Sequence, residues 1–325
     1  MTSSSELHVV FGTGPVGTAL IEILVAQCKQ VRVVTRSGTR KQLPAPVEVV
    51  RGDATDPVDT RKVCIDATHV YNCTNPVDYH RWPEQFPPLQ RGILAGAVAG
   101  GAKLIVMENL YMYGPHNGVP MTESMPLRGN GPRSTTRLRM AQELMQAHAR
   151  GEVRAVAVRA SDLYGPGVRE SLVGERLFRP VLAEKTVRLL ANPDLPHSLT
   201  YISDVGRAMV TLGDRDEALG PAWHVPSAPA VTLREFVDIV AEEAGTKPRI
   251  SAVPRWVAGL LLPLMGGVVP PMRGLRENLY QCYEPYVVDS LAYASAFDDE
   301  STTLCEGVRA TVHSYREPAH AADIN

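Results

Sequence analysis

Apolar and polar positions along the chain fall into short blocks that switch between two periods. Leu7–Phe11 is a compact apolar run that reads as a strand, and after a glycine turn residues 18–27 carry apolar positions suited to a helix lying on a sheet. Further compact runs follow at 31–38, at 47–56 with its end before Gly52-Asp53, at 68–76, at 101–115 and at 153–165. Small and apolar residues at 89–101 read as a crossover helix, and Leu138, Ala141, Leu144 and Met145 share one face of a second helix over 137–151. Strands that alternate with helices in this way predict an α/β fold built on a parallel sheet.

The pattern changes after about residue 166, where prolines punctuate shorter elements. Thr232 and Glu235 form a capping box ahead of Leu233, Phe236, Val237, Val240 and Ala244, and Gly245 supplies the stop of that helix. The reading is a dinucleotide-type domain over residues 1–165 and a smaller substrate-binding lobe over 166–325, with segments returning to the first domain. The charge-free stretch 256–272 is too short and too rich in proline to cross a bilayer and predicts a buried or interface hairpin, a substrate lid or a dimer contact. The last ten residues read as a frayed tail.

Composition narrows the classes. A chain of 325 residues holds about two domains of ordinary size and can bury a full core without staples. With 33 basic against 35 acidic residues, neither a nucleic-acid footprint nor a charged tail is expected. The cysteines, Cys28, Cys64, Cys73, Cys282 and Cys305, are odd in number and show no C-x-x-C spacing, which points to reduced thiols of a cytoplasmic protein and away from zinc or disulfides. No membrane partner and no metal are expected.

Gly12, Gly14 and Gly17 stand at G-x-G-x-x-G spacing between the first strand and the first helix. The first glycine allows the turn, the second lets a pyrophosphate approach the backbone, and the third permits helix-to-sheet contact, with Pro15 and Val16 completing the cradle. The helix N-terminus adds a positive end, so the site needs no lysine. An NAD-type carboxylate at the end of the second strand is missing; Arg36 and Ser37 stand there and could hold a 2'-phosphate, which makes NADP the preferred cofactor and NAD the second candidate. Asp53, with Ala54, ends the third strand and could accept from the adenine amino group, with a turn cap as the competing role. Asn75 closes the next strand where the nicotinamide ribose would lie.

Taken with "GDATD", "LYMYGP", "RASDLYGPG", "LTYISDVGRAMV", "VTLREFVDIVAEEAG" and "TTLCEGVRATVHSYRE", the glycine turn resembles the extended short-chain dehydrogenase/reductase superfamily, in particular its NAD(P)-dependent epimerase/dehydratase group. The resemblance runs over nearly the whole chain. It implies a Rossmann-type doubly wound parallel sheet with a smaller C-terminal lobe, a small-molecule substrate, and a homodimer formed through the helices near 90–100 and 137–150.

The group's catalytic pattern is broken here. Where the resemblance calls for a serine or threonine, five residues before the glycine of Tyr113-Gly114, stands Asn109. The helix that should carry Tyr-x-x-x-Lys contains neither residue; Arg133 and Arg137 fill those positions in one register, Thr135 and Arg139 in another. Arginine is a poor proton-transfer group and a good electrostatic clamp, so Arg137 is assigned to ribose hydroxyls or to a developing oxyanion. Tyr111, expected at the strand end, is the candidate acid/base with a structural phenol as the alternative, and Asn109 would orient the reacting oxygen. Asp162 occupies a position where the group often has asparagine and would select hydroxyl or amine donors over an anion, unless it pairs with Arg159 or caps its turn. Glu108 reads as one half of a charge pair, and His80 and His197 as outer pocket residues. The functional reading is hydride exchange between a nicotinamide and a small hydroxyl or carbonyl compound; the alternative is a dinucleotide-binding sensor or scaffold with little catalysis.

Overall fold

The computed structural model describes residues 6–39, 43–260 and 275–317. Chain contacts divide it into two compact units: residues 1–114, 123–160 and 205–225 form the first, and 115–122, 161–204 and 226–325 the second.

The first unit is a seven-stranded parallel sheet. Its strands are β1 (Leu7–Phe11), β2 (Gln30–Thr35), β3 (Glu48–Arg51), β4 (His69–Asn72), β5 (Lys103–Glu108), β6 (Arg154–Arg159) and a late strand, Ala222–His224, in the spatial order late strand, β6, β5, β4, β1, β2, β3. Central strands buried on both sides have no polar face to show, which is why they read as continuous apolar runs. Alternate residues divide between the two faces. After α2 (Pro57–Val63), which follows β3, the helices α3 (Trp82–Gly100) and α4 (Pro132–Ala149) supply Ile93, Ala97 and Leu144, which pack with Val9, Phe11, Val70, Leu104 and Val106. On the opposite face, Gly213 of the helix Ile202–Asp214 lies over Tyr71 and Ile105, while Gly206 of that helix meets Leu20 and Ile23 of α1 (Pro15–Ala26). The sheet is thus doubly wound, as expected.

Three boundaries differ from the sequence expectation. The helix α3 starts at Trp82 and runs through Pro87 and Pro88, because burial of Trp82 and Phe86 outweighs the lost hydrogen bonds. The helix α4 begins at Pro132, a residue suited to a first helical position, five residues before the expected start. The run 153–165 is two strands, β6 and β7 (Asp162–Tyr164), and the chain passes between units at residues 160–161.

The second unit has its own core, in which Leu177, Phe178 and Val181 of one helix meet Phe236, Val237 and Val240 of a second and Val308 and Val312 of a third. The Thr232–Glu235 capping box and the left-handed Gly245 stop are both present, and Thr303 and Glu306 repeat the box at the last helix. Of the apolar stretch 256–272, Trp256 and Leu260 are exposed and Ala258 is buried against Tyr283, while residues 261–272 lie outside the described residues, as does most of the tail. Among the described residues no helix is long and apolar enough to cross a membrane, and no group of three metal-ligating side chains occurs.

At the amino ends of β1 and β4, His8 and His69 stack at 4.5 Å, with the Tyr71 hydroxyl 3.1 Å from His8 Nδ1. Burial, then the neighbouring His69 and Lys29, pulls His8 down from 6.5 to about 4, against the smaller pull of Glu6. His69, which faces Lys103, Asp214 and Glu6, is also lowered by burial. Since the unfolded chain takes up these protons first, the stabilisation is complete above about pH 6.5 and is lost as pH falls towards 4. The His8 contribution is about 3 kcal/mol. Thermal melts between pH 7 and 4.5 should show a falling Tm, and His8→Phe, which keeps the ring stack, should flatten the slope.

Candidate active site

The glycine turn is built as the cofactor chemistry requires. Gly12 has φ +99°, and a Cβ there would sit 2.7 Å from the carbonyl oxygen of Cys73; one on Gly17 would land on the Gly12 carbonyl. Gly14 differs, since a Cβ at this position meets nothing within 4 Å. The backbone is therefore closed where it crosses protein and open where a ligand would approach. Gly14 is the N-cap of α1, no side chain caps that end, and no acidic residue occupies its first turn. The Val16 and Gly17 amides and the positive helix end are left for an anion, so the residues present fit a dinucleotide diphosphate.

The other expected cofactor residues line the carboxyl edge of the same sheet. Arg36 follows the last residue of β2 and is exposed; the Ser37 hydroxyl lies 2.6 Å from that of Thr39. Asp53, just past β3, uses Oδ1 to accept from both the Thr55 amide and the Thr55 hydroxyl at 2.8 Å. Its carboxyl is held below the usual range by those bonds first and by the nearby Arg36 charge last. One oxygen of Asp53 is thus a turn cap, the competing role. The Ala54 carbonyl faces Gly92 of α3, where a Cβ could not fit, and Asn75 is exposed beyond β4.

The proposed catalytic residues fall into two groups. β5 ends at Glu108, and the Asn109 side chain accepts from the Tyr111 amide at 3.2 Å, which turns residues 111–113 into a single 3-10 turn. Tyr111 is therefore not on the strand, contrary to expectation; its ring stacks on Trp82 at 5.7 Å within a cluster that includes Phe86 and Met140. Of the two registers on α4, the first places both side chains in the interior, since Arg133 and Arg137 are buried, and the second does not, since Thr135 is half-buried and Arg139 exposed. The Arg133 Nε donates to the Tyr79 carbonyl at 3.2 Å. Arg137, expected to reach for ribose, is turned inward instead; it lies over the Phe86 ring at 4.8 Å, donates to the Met107 carbonyl and stands 3.9 Å from Glu108. Tyr111 lies within electrostatic reach of that guanidinium.

Glu108 itself is fully buried and receives the Arg159 Nε at 2.9 Å. Arg159 also donates to the Tyr113 hydroxyl at 2.8 Å, and that hydroxyl is 2.7 Å from His224 Nε2. The His224 amide donates to the Glu123 carboxylate at 3.0 Å. Burial pulls both guanidinium pKa values down; at Arg159 the closer Glu108 and Tyr113 reverse this, whereas Arg137 stays lowered. The bonded Glu108–Arg159 pair is one whose interruption would strand a buried charge, at a cost of about 3–5 kcal/mol.

The charge pair expected of Glu108 is present, but Arg159 was weighed only as a partner of Asp162, and Glu123 and His224 were missed. A signal for the first existed, since Glu108 and Arg159 close two adjacent apolar runs and lie opposite each other in the β5–β6 register. Nothing comparable marks Glu123 or His224. Asp162 belongs to the second unit, where His197 Nε2 stands 2.8 Å from its Oδ2. That corrects both the expected pairing with Arg159 and the outer-pocket placing of His197, which is buried against Tyr286.

A doubly wound sheet with an open glycine cradle at its carboxyl edge defines a dinucleotide-binding α/β enzyme. Residues 9–225 match the NAD dependent epimerase/dehydratase family, and the chain belongs to that family. Membership makes it an enzyme of NAD(P)-dependent redox or epimerase chemistry. A 2'-dehydrokanamycin reductase of Streptomyces kanamyceticus is 25% identical over 258 residues, 77% of this chain and 70% of the relative. A 3beta-hydroxysteroid-dehydrogenase/decarboxylase of Arabidopsis thaliana is 24% identical over 226 residues, 62% of this chain and only 39% of the plant protein. The structure of Thermus thermophilus UDP-glucose 4-epimerase, solved with NAD, superposes with a TM-score of 0.73 at 22% identity, covering 96% of this chain and 100% of that one, and shows the shared fold.

The two glycines should separate in experiment. Gly14→Ala should melt within about 1 °C of the wild type, because space and backbone both accept a methyl, yet weaken binding of the nicotinamide dinucleotide roughly tenfold or more in a fluorescence titration. Gly17→Ala should lower Tm sharply or abolish folding.

Proposed function

We propose that the chain is an NADP-preferring reductase or epimerase-like enzyme that moves hydride between a nicotinamide and a carbon carrying a small hydroxyl or carbonyl group. The observation that carries this reading is the open Gly14 cradle together with Arg36 at the next strand end, in a stretch, residues 30–39, that contains no carboxylate. When bound, the dinucleotide supplies or takes the hydride. Everything else falls to this chain's side chains.

Arg36 and Ser37 would hold a 2'-phosphate through charge-assisted hydrogen bonds. Asp53 keeps an oxygen beyond the one tied to Thr55 for the adenine amino group, and Asn75 borders the nicotinamide ribose. Because the Asn109 carbonyl oxygen is taken by the Tyr111 amide, its NH2 is the end that donates to a substrate oxygen. The Tyr111 hydroxyl moves the proton at that oxygen, and the Arg137 charge beside it stabilises negative charge formed there. Arg137 acts through Tyr111 as a positioning residue, since its own guanidinium is buried against Glu108 and Phe86. The Streptomyces relative is named a 2'-dehydrokanamycin reductase, which favours a reductase here. Free thiols at all five cysteines accord with a reducing, cytoplasmic compartment.

Arg36→Ala should raise the Kd for NADP about tenfold and leave that for NAD within about twofold, measured by titration calorimetry; an unchanged NADP affinity would remove the cofactor assignment. For the chemistry, NADPH oxidation is followed against a panel of sugar ketones and simple carbonyls. Tyr111→Phe should cut turnover by roughly 10²–10⁴ at every pH. Retention of turnover and pH profile in that variant would end its role as acid and base.

A further inference from the structure

We infer that Asp162, held in place by His197, is a recognition point for a protonated amine on the substrate. The inference rests on the redox or epimerase reading above and names the substrate class it did not supply.

Asp162 is a carboxylate with one side committed. His197 Nε2 stands 2.8 Å from Oδ2, and the two side chains are unequal: that of His197 is 4% exposed and that of Asp162 26%. The imidazole is clamped from behind, its ring 5.0 Å from that of Tyr286. It therefore fixes the carboxylate rotamer and leaves the second oxygen as the part that a ligand can reach. Among the described residues no lysine or arginine forms an ion pair with Asp162, and Arg159, the nearest in sequence, is engaged by Glu108 and Tyr113. A partly desolvated carboxylate with no lysine or arginine partner gains most from a ligand that brings a permanent charge.

The surroundings have the same preference. On the helix Leu279–Tyr283, Cys282 feels the Asp162 charge, and its thiol is pushed up to about 12 by burial first and that charge second, so it stays neutral. His116 packs on Tyr286 at 5.6 Å and on Tyr280 at 6.0 Å. It is buried. Burial lowers its pKa, with the Val119 backbone first and Glu284 second opposing, so the cationic form of the ring is disfavoured. The contacts His116–Tyr286–His197–Asp162 thus join a carboxylate, two imidazoles and an aromatic ring with no lysine or arginine among them, an environment suited to ammonium. A carboxylate accepts and never donates, so the same position repels a phosphate or carboxylate where the asparagine of the resembling group would donate to it.

The test is binding to the full chain saturated with NADP, with D-glucosamine, N-acetyl-D-glucosamine and D-glucose as probes at a pH where the amine is protonated. The three share a ring and differ in one charge. Glucosamine should bind roughly tenfold or more tightly than the other two. Asp162→Asn should erase the preference while leaving weak binding of the neutral sugars, and His197→Phe, which keeps the ring against Tyr286, should reduce it by a smaller factor. Equal affinity for all three probes in the wild type, no binding of any of them, or a preference that survives Asp162→Asn overturns the inference. NADP affinity, read on the same samples, reports separately on the enzyme reading: its loss would condemn that reading, whereas failure of the amine preference with NADP bound condemns only the substrate class.

Discussion

The first unit depends on one close crossing of backbone over backbone. At Gly17 the first helix lies against the carbonyl of Gly12, and at Gly12 the turn lies against the carbonyl of Cys73 at the end of the neighbouring strand β4. No side chain can be inserted at either point, so the helix axis is brought to the sheet edge at contact distance and its first turn cannot drift outward. The open position at Gly14 follows from this. It lies between two residues that are locked, and it faces solvent because its neighbours face protein. A site for an anion is thus created by packing alone, with partial charges on amides in place of any cationic side chain.

A second constraint is the buried charge at the ends of β5 and β6. Glu108 is held by Arg159 from the adjacent strand and approached by Arg137 from α4, so a helix that the resemblance would commit to proton transfer is committed here to charge compensation. The arginines at these two positions reach inward, Arg137 over Phe86 and Arg133 over Tyr79. The substitution of both residues of the expected pair is therefore not a loss of one function at an otherwise unchanged site. It changes what the helix face is for, from presenting a proton-transfer pair to compensating the buried Glu108 charge.

The sheet was legible because strands buried on both faces must be apolar throughout, and short apolar runs between glycines and prolines are hard to read otherwise. The cradle was legible because its chemistry is carried by the absence of side chains, which spacing alone records. What spacing does not record is the direction of a long side chain. Arg137 reads equally well as a ribose clamp or a buried counter-ion until Glu108 and Phe86 are seen around it. Asp162 could be given to Arg159 by proximity in sequence, but the chain passes from one unit to the other between them, and His197, thirty-five residues on, takes the contact. Tyr111 was misplaced for a local reason: the Asn109 side chain competes with the strand ladder for the backbone amide two residues ahead, and wins.

The two units differ in the sign of what they offer. In the first, the helix end at Gly14 and the Arg36 guanidinium are positive and exposed, while the acidic groups near them are capped, as at Asp53, or buried, as at Glu108. In the second, the Asp162 carboxylate is part-exposed, backed by the His197 imidazole and by aromatic surfaces. On the reading proposed above, the Gly14 and Arg36 positions would favour a polyanionic dinucleotide, and the Asp162 position a small cationic ligand. Sorting of this kind needs no steric gate. It also gives a physical reason for a carboxylate at a position where an asparagine would serve an anionic substrate, since a single charge on a partly desolvated oxygen shifts preference between phosphate and ammonium by more than any change of shape at that position.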